Sequence, residues 1–224
     1  MFRNLRCNPM TSAEQAIERL KTGNERFVAD MGKGIERISR ERRIALVDGQ
    51  SPFAIILGCS DSRVPAEIIF DQGLGDLFVI RVAGNIVAPS QVGSVEFAAE
   101  QFGTRLVVVL GHSGCGAVQA TLDELEQPSE NRSLNLRAIV DRIRPAVETL
   151  LETDLVHERD TLIDKAVRAN IRQSVNHLRH GSRILEELAE KRGLVITGAE
   201  YSLGTGRVEF FDDLPAIDRA AAVG

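Results

Sequence analysis

Two short polar segments contain the residue types that suit metal chemistry. GCSDSRVPAE includes Cys59 and Asp61, and GHSGCGAV includes His112 and Cys115. Two thiols, one imidazole and one carboxylate are donors that a tetrahedral zinc ion accepts. Cys59 and Asp61 can share a direction in an extended segment, and the glycines around His112 and Cys115 permit a tight turn. The spacing therefore allows the four donors to meet at one ion.

Each polar segment directly follows an apolar run that predicts a buried strand. Three such runs, FAIIL, LFVIRV and LVVVL, begin at residues 53, 77 and 106 and are rich in β-branched residues. The segments 65–70 and 90–102 between them have helical patterns, which indicates a doubly wound parallel sheet. Ligands of such sheets bind outside the carboxyl ends of the strands, and both polar segments fall there.

The remaining elements complete an α/β fold. Thr11 and Glu14 have the spacing of a capping box, which predicts an N-terminal helical arm within 1–35. The charged region from 117 to 192 is predicted helical, with a break at QPSEN and a bend near Pro145. LVITGA then predicts a fourth strand, and RVEFF predicts an antiparallel edge strand. We expect an open, mostly parallel sheet of four strands plus this edge strand, flanked by helices, in one domain over 1–224.

The overall composition excludes several classes of partner. The 224 residues are 43% apolar and 26% charged, and the formal net charge is -5 with scattered Lys and Arg. This pattern indicates no nucleic acid and no membrane as a partner, since no apolar run approaches the roughly 20 residues of a membrane span. Three cysteines do not form a disulfide framework, so we expect a cytoplasmic protein with free thiols.

Other thiols and imidazoles give weaker signals. Cys7 has no apparent partner, and a role for it cannot be assigned from the sequence. His157, His177 and His180 lie in charged helical segments, where we predict that they are solvated.

The sequence resembles the β-class carbonic anhydrases, with CSDSRVPAEIIFDQG and EFAAEQFGTRLVVVLGHSGCGAV similar to the two signature regions of that family. The resemblance implies reversible hydration of carbon dioxide to bicarbonate and a proton by a zinc-bound hydroxide. It implies that Zn²⁺ is bound by Cys59, His112 and Cys115. Asp61 would form a catalytic dyad with Arg63 and would occupy the fourth zinc position, as a metal ligand, when that pairing breaks.

The resemblance also implies a substrate pocket and an assembly. The pocket positions fall on Gln50, Phe78, Phe97 and the backbone N–H of Gly116, a small apolar site suited to carbon dioxide. A homodimer or homotetramer is implied, with Phe97 a candidate contributor across the interface. Ile56 stands where one subgroup has the tryptophan of an inhibitory bicarbonate site, so the chain is most similar to the plant-type branch.

Three other functions remain open at this level. Relatives with the same ligands hydrolyse carbon disulfide or carbonyl sulfide, and the motifs do not separate these activities. GHSGC also approaches the G-x-S-x-G motif of a serine hydrolase with Ser113 as nucleophile, although Cys115 stands where the motif needs glycine. Glycine-rich loops after strands also occur in structural zinc or phosphate-binding modules.

Overall fold

A five-stranded sheet forms the centre of the molecule in a computed structural model that describes residues 11–32, 38–128 and 133–211. The spatial order is β2-β1-β3-β4-β5. The strands are β1 Ala54–Gly58, β2 Leu77–Arg81, β3 Leu106–His112, β4 Val195–Tyr201 and β5 Val208–Phe210. The first four are parallel and β5 is antiparallel to β4, which confirms the predicted sheet. Cys7 lies outside the described residues.

Helices cover both faces of this sheet. They are α1 Ala13–Val28, α2 Arg40–Ala45, α3 Ala66–Ile69, α4 Pro89–Gln101, α5 Gly116–Glu126, α6 Leu134–Val147, α7 Arg159–His180 and α8 Arg183–Arg192. Short 3-10 helices lie at Ala83–Asn85, Glu148–Glu152 and Asp154–His157. Within the described ranges, no helix has the length and apolar character needed to cross a membrane.

The central strands are apolar throughout because the sheet separates two cores. Every residue of β1 and β3 is buried. Ile55 and Val107 face a core formed with α4 to α8, whereas Ile56 and Val108 face a core formed with α1 and α3. Successive side chains of a strand point to opposite faces, so a strand buried on both sides reads as a continuous apolar run.

The N-terminal cap of α1 lies one residue later than predicted. Ser12, and not Thr11, is the cap residue: its hydroxyl accepts a hydrogen bond from the Gln15 N–H at 3.3 Å, and the Gln15 side chain accepts one from the Ser12 N–H at 3.1 Å. The extended backbone of Ser12 (φ -67°, ψ 159°) places its hydroxyl over the first turn. The helix then buries Ala16 and Leu20 against the sheet.

Candidate metal centre

Two thiols and one imidazole meet at the carboxyl ends of β1 and β3. Cys59 directly follows β1, His112 is the last residue of β3, and Cys115 is the N-cap of α5. β1 and β3 are hydrogen-bonded neighbours, so their ends bring these side chains together although Cys59 and His112 lie 53 positions apart in sequence. One potential ligand atom from each of the three lies within 4.8 Å of the others, and all three residues are buried.

The imidazole of His112 is oriented as a metal ligand requires. Its Nδ1 lies 3.0 Å from the carbonyl oxygen of Ser113 and donates to it in the neutral tautomer that leaves a lone pair on Nε2. Nε2 is buried and has no hydrogen-bond partner among the described residues. A buried nitrogen without a partner is rare and costly, and a bound cation would satisfy it. The donor set therefore fits a zinc ion.

The side chains of Cys59 and Cys115 interact, and their pKa values shift in opposite directions. A hydrogen bond from the Cys115 thiol lowers the pKa of Cys59 to about 4, against the opposing effect of burial. The same interaction, together with burial, raises the pKa of Cys115. Burial lowers the pKa of His112, but its interaction with the Cys59 thiolate outweighs burial and raises that pKa above its ordinary value. The low pKa of Cys59 thus favours the thiolate form, which is the form that binds a metal ion.

The Asp61 carboxylate lies beside the cluster and is paired with Arg63. Oδ1 accepts hydrogen bonds from the Arg63 backbone N–H at 3.0 Å and from Nε at 2.9 Å, and Oδ2 accepts one from Nη2 at 2.7 Å. These bonds hold the pKa of Asp61 well below its usual range. Oδ2 lies 3.8 Å from Nε2 of His112. The structure therefore has Asp61 in the arginine-paired arrangement.

Two residues that the sequence analysis missed support the loop after β1. Arg81 ends β2, and its side chain donates hydrogen bonds to the carbonyl oxygens of Cys59 at 3.0 Å and Asp61 at 2.6 Å. The backbone N–H of Gly84 donates to the sulfur of Cys59 at 3.4 Å. Their signal in the sequence is the polar and glycine-containing segment that follows β2 at the same end of the sheet.

The predicted substrate residues do not all lie at this end. Gly116 follows Cys115 and begins α5, where the first backbone N–H groups have no acceptor within the helix. Phe78 pairs with Ile55 of β1. Ile55 lies three residues before Gly58, the last residue of β1, which is about 10 Å along the strand. Phe97 packs on Phe78 with ring centroids 6.3 Å apart, and 45% of its surface is exposed.

Gln50 lies still farther from the cluster within the same chain. It precedes Ala54, the first residue of β1, and is exposed. The whole of β1, about 16 Å of extended chain, separates it from Cys59. Gly116 is thus beside the cluster of Cys59, His112 and Cys115, whereas Gln50, Phe78 and Phe97 lie toward the opposite end of the sheet.

The geometry at Ser113 does not support a serine hydrolase. Its hydroxyl accepts a hydrogen bond from the backbone N–H of Leu203 at 3.0 Å. The adjacent His112 directs Nδ1 to the Ser113 carbonyl and Nε2 toward the cysteines, so it is not placed to take a proton from Ser113. His157, His177 and His180 are exposed, as predicted.

Comparisons with known proteins agree with one another. The family model described as carbonic anhydrase matches residues 54–208. Carbonic anhydrase 2 of Mycobacterium tuberculosis is 38% identical over 208 residues, covering 92% of this chain and 96% of that protein. The β-carbonic anhydrase CafA of Aspergillus fumigatus is similar in structure, with a TM-score of 0.69 and 28% identity. The match covers 77% of this chain and 81% of CafA. One of two tetrameric β-carbonic anhydrases of Sordaria macrospora is also similar in structure, with a TM-score of 0.69 and 25% identity. That match covers 78% of this chain and 87% of the other.

Proposed function

Because this chain belongs to the β-carbonic anhydrase family, we propose that it catalyses the reversible hydration of carbon dioxide to bicarbonate and a proton. The observation that carries this proposal is the buried cluster of Cys59, His112 and Cys115, with ligand atoms within 4.8 Å of one another. Three ligands leave one position of a tetrahedral ion open, which is the arrangement of catalytic and not of structural zinc sites.

In this proposal Cys59, His112 and Cys115 hold zinc. The lone pair on Nε2 of His112 and the low pKa of Cys59 support these assignments. When bound, zinc supplies the nucleophile, since it lowers the pKa of a coordinated water to about 7. The protein supplies the ligand geometry, and the Ser113 carbonyl fixes the orientation of the imidazole.

Asp61 orients the nucleophile, and Arg63 controls the position of Asp61. The Oδ1 atom accepts two hydrogen bonds from Arg63, whereas Oδ2 accepts one and lies on the side of His112. Oδ2 therefore retains the capacity to accept a hydrogen bond from a group at the metal position. Arg63 keeps the carboxylate out of the open position, where it would compete as a fourth ligand.

We also propose that a second copy of the chain completes the carbon dioxide pocket. The Gly116 N–H lies beside the cluster and donates toward oxygen charge that develops during hydration. Gln50, Phe78 and Phe97 lie too far along their own chain to line the same site, and the exposure of Phe97 supports its contact with another subunit. A homodimer or homotetramer meets this need, and tetramers occur among the similar structures.

The thiol chemistry of the site favours a cytoplasmic location. Cys59 and Cys115 are free cysteines whose sulfurs must stay reduced to bind a metal ion. A reducing compartment maintains that state. The two cores on either side of one continuous sheet support a single domain over 1–224.

Stopped-flow carbon dioxide hydration, with zinc quantified per chain, tests the proposal. We expect activity in the unmodified protein and in Cys59→Ser a loss of both zinc and activity. Cys7→Ser is the matched control and retains both. Ser113→Ala also retains activity, since the proposal gives its hydroxyl no chemical role. Zinc-loaded protein that hydrolyses carbon disulfide or carbonyl sulfide but does not hydrate carbon dioxide contradicts the proposal.

A further inference from the structure

A tight turn after β2 donates a hydrogen bond to one of the sulfurs of the metal cluster. The turn, Ala83–Asn85, places Gly84 at φ +69° and Asn85 at φ +44°, two successive residues in the left-handed region. This conformation exposes the Gly84 N–H to the Cys59 sulfur at 3.4 Å. A Cβ atom on Gly84 would lie 2.8 Å from Cδ1 of Ile143, so a larger residue would displace that side chain, and the backbone conformation itself favours glycine.

The left-handed conformation of Asn85 is unfavourable by itself and requires support from the surrounding structure. Two side chains of α7 supply that support. Asn170 Nδ2 donates to the carbonyl oxygen of Gly84 at 2.8 Å, and Ser174 Oγ donates to the carbonyl oxygen of Asn85 at 3.0 Å. The two residues are four apart and therefore share one face of the helix. They are 1% and 4% exposed, so water cannot replace them.

We propose that Asn170 and Ser174 are positioning residues of the metal centre. By fixing both carbonyls of the turn, they keep the Gly84 N–H directed at the Cys59 sulfur. A hydrogen bond to a thiolate withdraws charge from the sulfur and restricts its position, which tunes the strength of its bond to a metal. The inference rests on the proposed function, because it assumes that Cys59 is a ligand. It assigns a role to α7, which contributes no ligand itself.

Cobalt(II) is a spectroscopic probe of this hydrogen bond. Cobalt bound by cysteine gives a thiolate-to-metal charge-transfer band, whose energy falls when the sulfur loses a hydrogen-bond donor. We expect this band at longer wavelength in Asn170→Ala and, to a smaller extent, in Ser174→Ala. Affinity for cobalt, measured by competition with a chelator, should fall about 10- to 100-fold in Asn170→Ala, the range typical of lost supporting contacts. Ser174→Thr keeps the hydroxyl and should retain the original band.

Asn24→Ala separates positioning from general stability. Asn24 is also a buried asparagine, and its side chain donates to the carbonyls of Ile69 and Gly206, away from the cluster. This control should lose stability without moving the band. If Asn170→Ala does not fold, the Ser174 variants decide. Unmoved bands in the alanine variants overturn the inference, whereas a missing thiolate band in the unmodified protein refutes the metal centre itself.

Discussion

Arg63 donates hydrogen bonds from its side chain to both carboxylate oxygens of Asp61, from Nε to Oδ1 at 2.9 Å and from Nη2 to Oδ2 at 2.7 Å. The planar guanidinium matches the carboxylate in this two-bond arrangement, which a lysine cannot reproduce. Because Oδ2 also lies 3.8 Å from His112 Nε2, the same pair fixes a carboxylate oxygen beside the cluster. In the proposed function, Asp61 orients the nucleophile when Oδ2 stays in this position, and it would block the open metal position if Oδ2 moved onto the metal.

Replacing Arg63 by glutamine should inactivate the protein without removing its zinc. The change breaks both side-chain bonds, so Asp61 is free to move toward the open position of the metal. We expect kcat/KM for carbon dioxide to fall about 100-fold, a typical effect of displacing a catalytic group by about 1 Å. Arg137→Gln, which removes an exposed cation that pairs with Asp141 at 3.8 Å, is the control. Wild-type kcat/KM in zinc-loaded Arg63→Gln would refute this role.

Zinc uptake should release about one proton near neutral pH, from the Cys115 thiol. Near pH 7 the Cys59 thiol, with its pKa lowered to about 4, is already ionised, whereas Cys115, with a raised pKa, is still protonated. Each ion should therefore displace about one proton near neutral pH, so affinity should rise with pH.

Calorimetric titration in buffers of different ionisation enthalpy measures this proton release directly. His180→Gln is the control, because the His180 side chain is 76% exposed and is not part of the cluster. This change should leave the number of released protons unchanged. Zinc binding that releases no proton near neutral pH is inconsistent with Cys115 as a ligand that must first lose its proton.

Phe97→Ala should weaken both the assembly and the activity while leaving the zinc in place. The ring is 45% exposed in one chain and packs on Phe78 and Phe102, so its loss should cost that chain less stability than the loss of a fully buried ring. If the ring enters an interface, the dissociation constant of the assembly should rise about tenfold or more. Analytical ultracentrifugation with parallel hydration assays measures both effects. Phe97→Tyr preserves the ring and should behave as wild type; an unaltered Phe97→Ala assembly with full activity excludes Phe97 from the pocket.

Two helical glycines should respond oppositely to alanine. A Cβ atom on Gly23 of α1 would lie 1.9 Å from the backbone oxygen of Phe70, so Gly23→Ala must move α1 from α3, at an expected cost of about 1 to 3 kcal/mol. Gly93 of α4 has nothing within 4 Å of the same position, and Gly93→Ala should stabilise by about 0.5 to 1 kcal/mol. Urea unfolding measures both. Equal effects of the two changes would contradict the close approach of α1 to Phe70.

The sheet and the ligand cluster could be predicted because local and global signals coincide. The apolar runs of β1 and β3 are long enough to identify strands, and each is followed at once by a polar segment. Parallel neighbours end at the same edge, which brings Cys59 and His112 together. The cap of α1 was misplaced because Thr11 and Ser12 both carry hydroxyls, and only the backbone conformation selects Ser12.

The supporting contacts could not be predicted because they depend on register and backbone conformation. Arg81 reaches the Cys59 carbonyl since β2 pairs it with Gly58, a relationship that the strand sequences do not encode. The Gly84 N–H reaches sulfur only through two left-handed residues supported by α7, 86 positions away at Asn170. By contrast, Gln50 precedes the predicted strand that begins at residue 53 and Cys59 follows it, so their separation within one chain could be predicted.

The central claim is that Cys59, His112 and Cys115 bind one zinc ion together, and X-ray absorption spectroscopy at the zinc edge tests it most directly. For protein loaded with one zinc per chain, we predict two sulfur neighbours at about 2.3 Å and two nitrogen or oxygen neighbours at about 2.0 to 2.2 Å. A zinc shell without sulfur, or one with three or more sulfurs, would contradict the account.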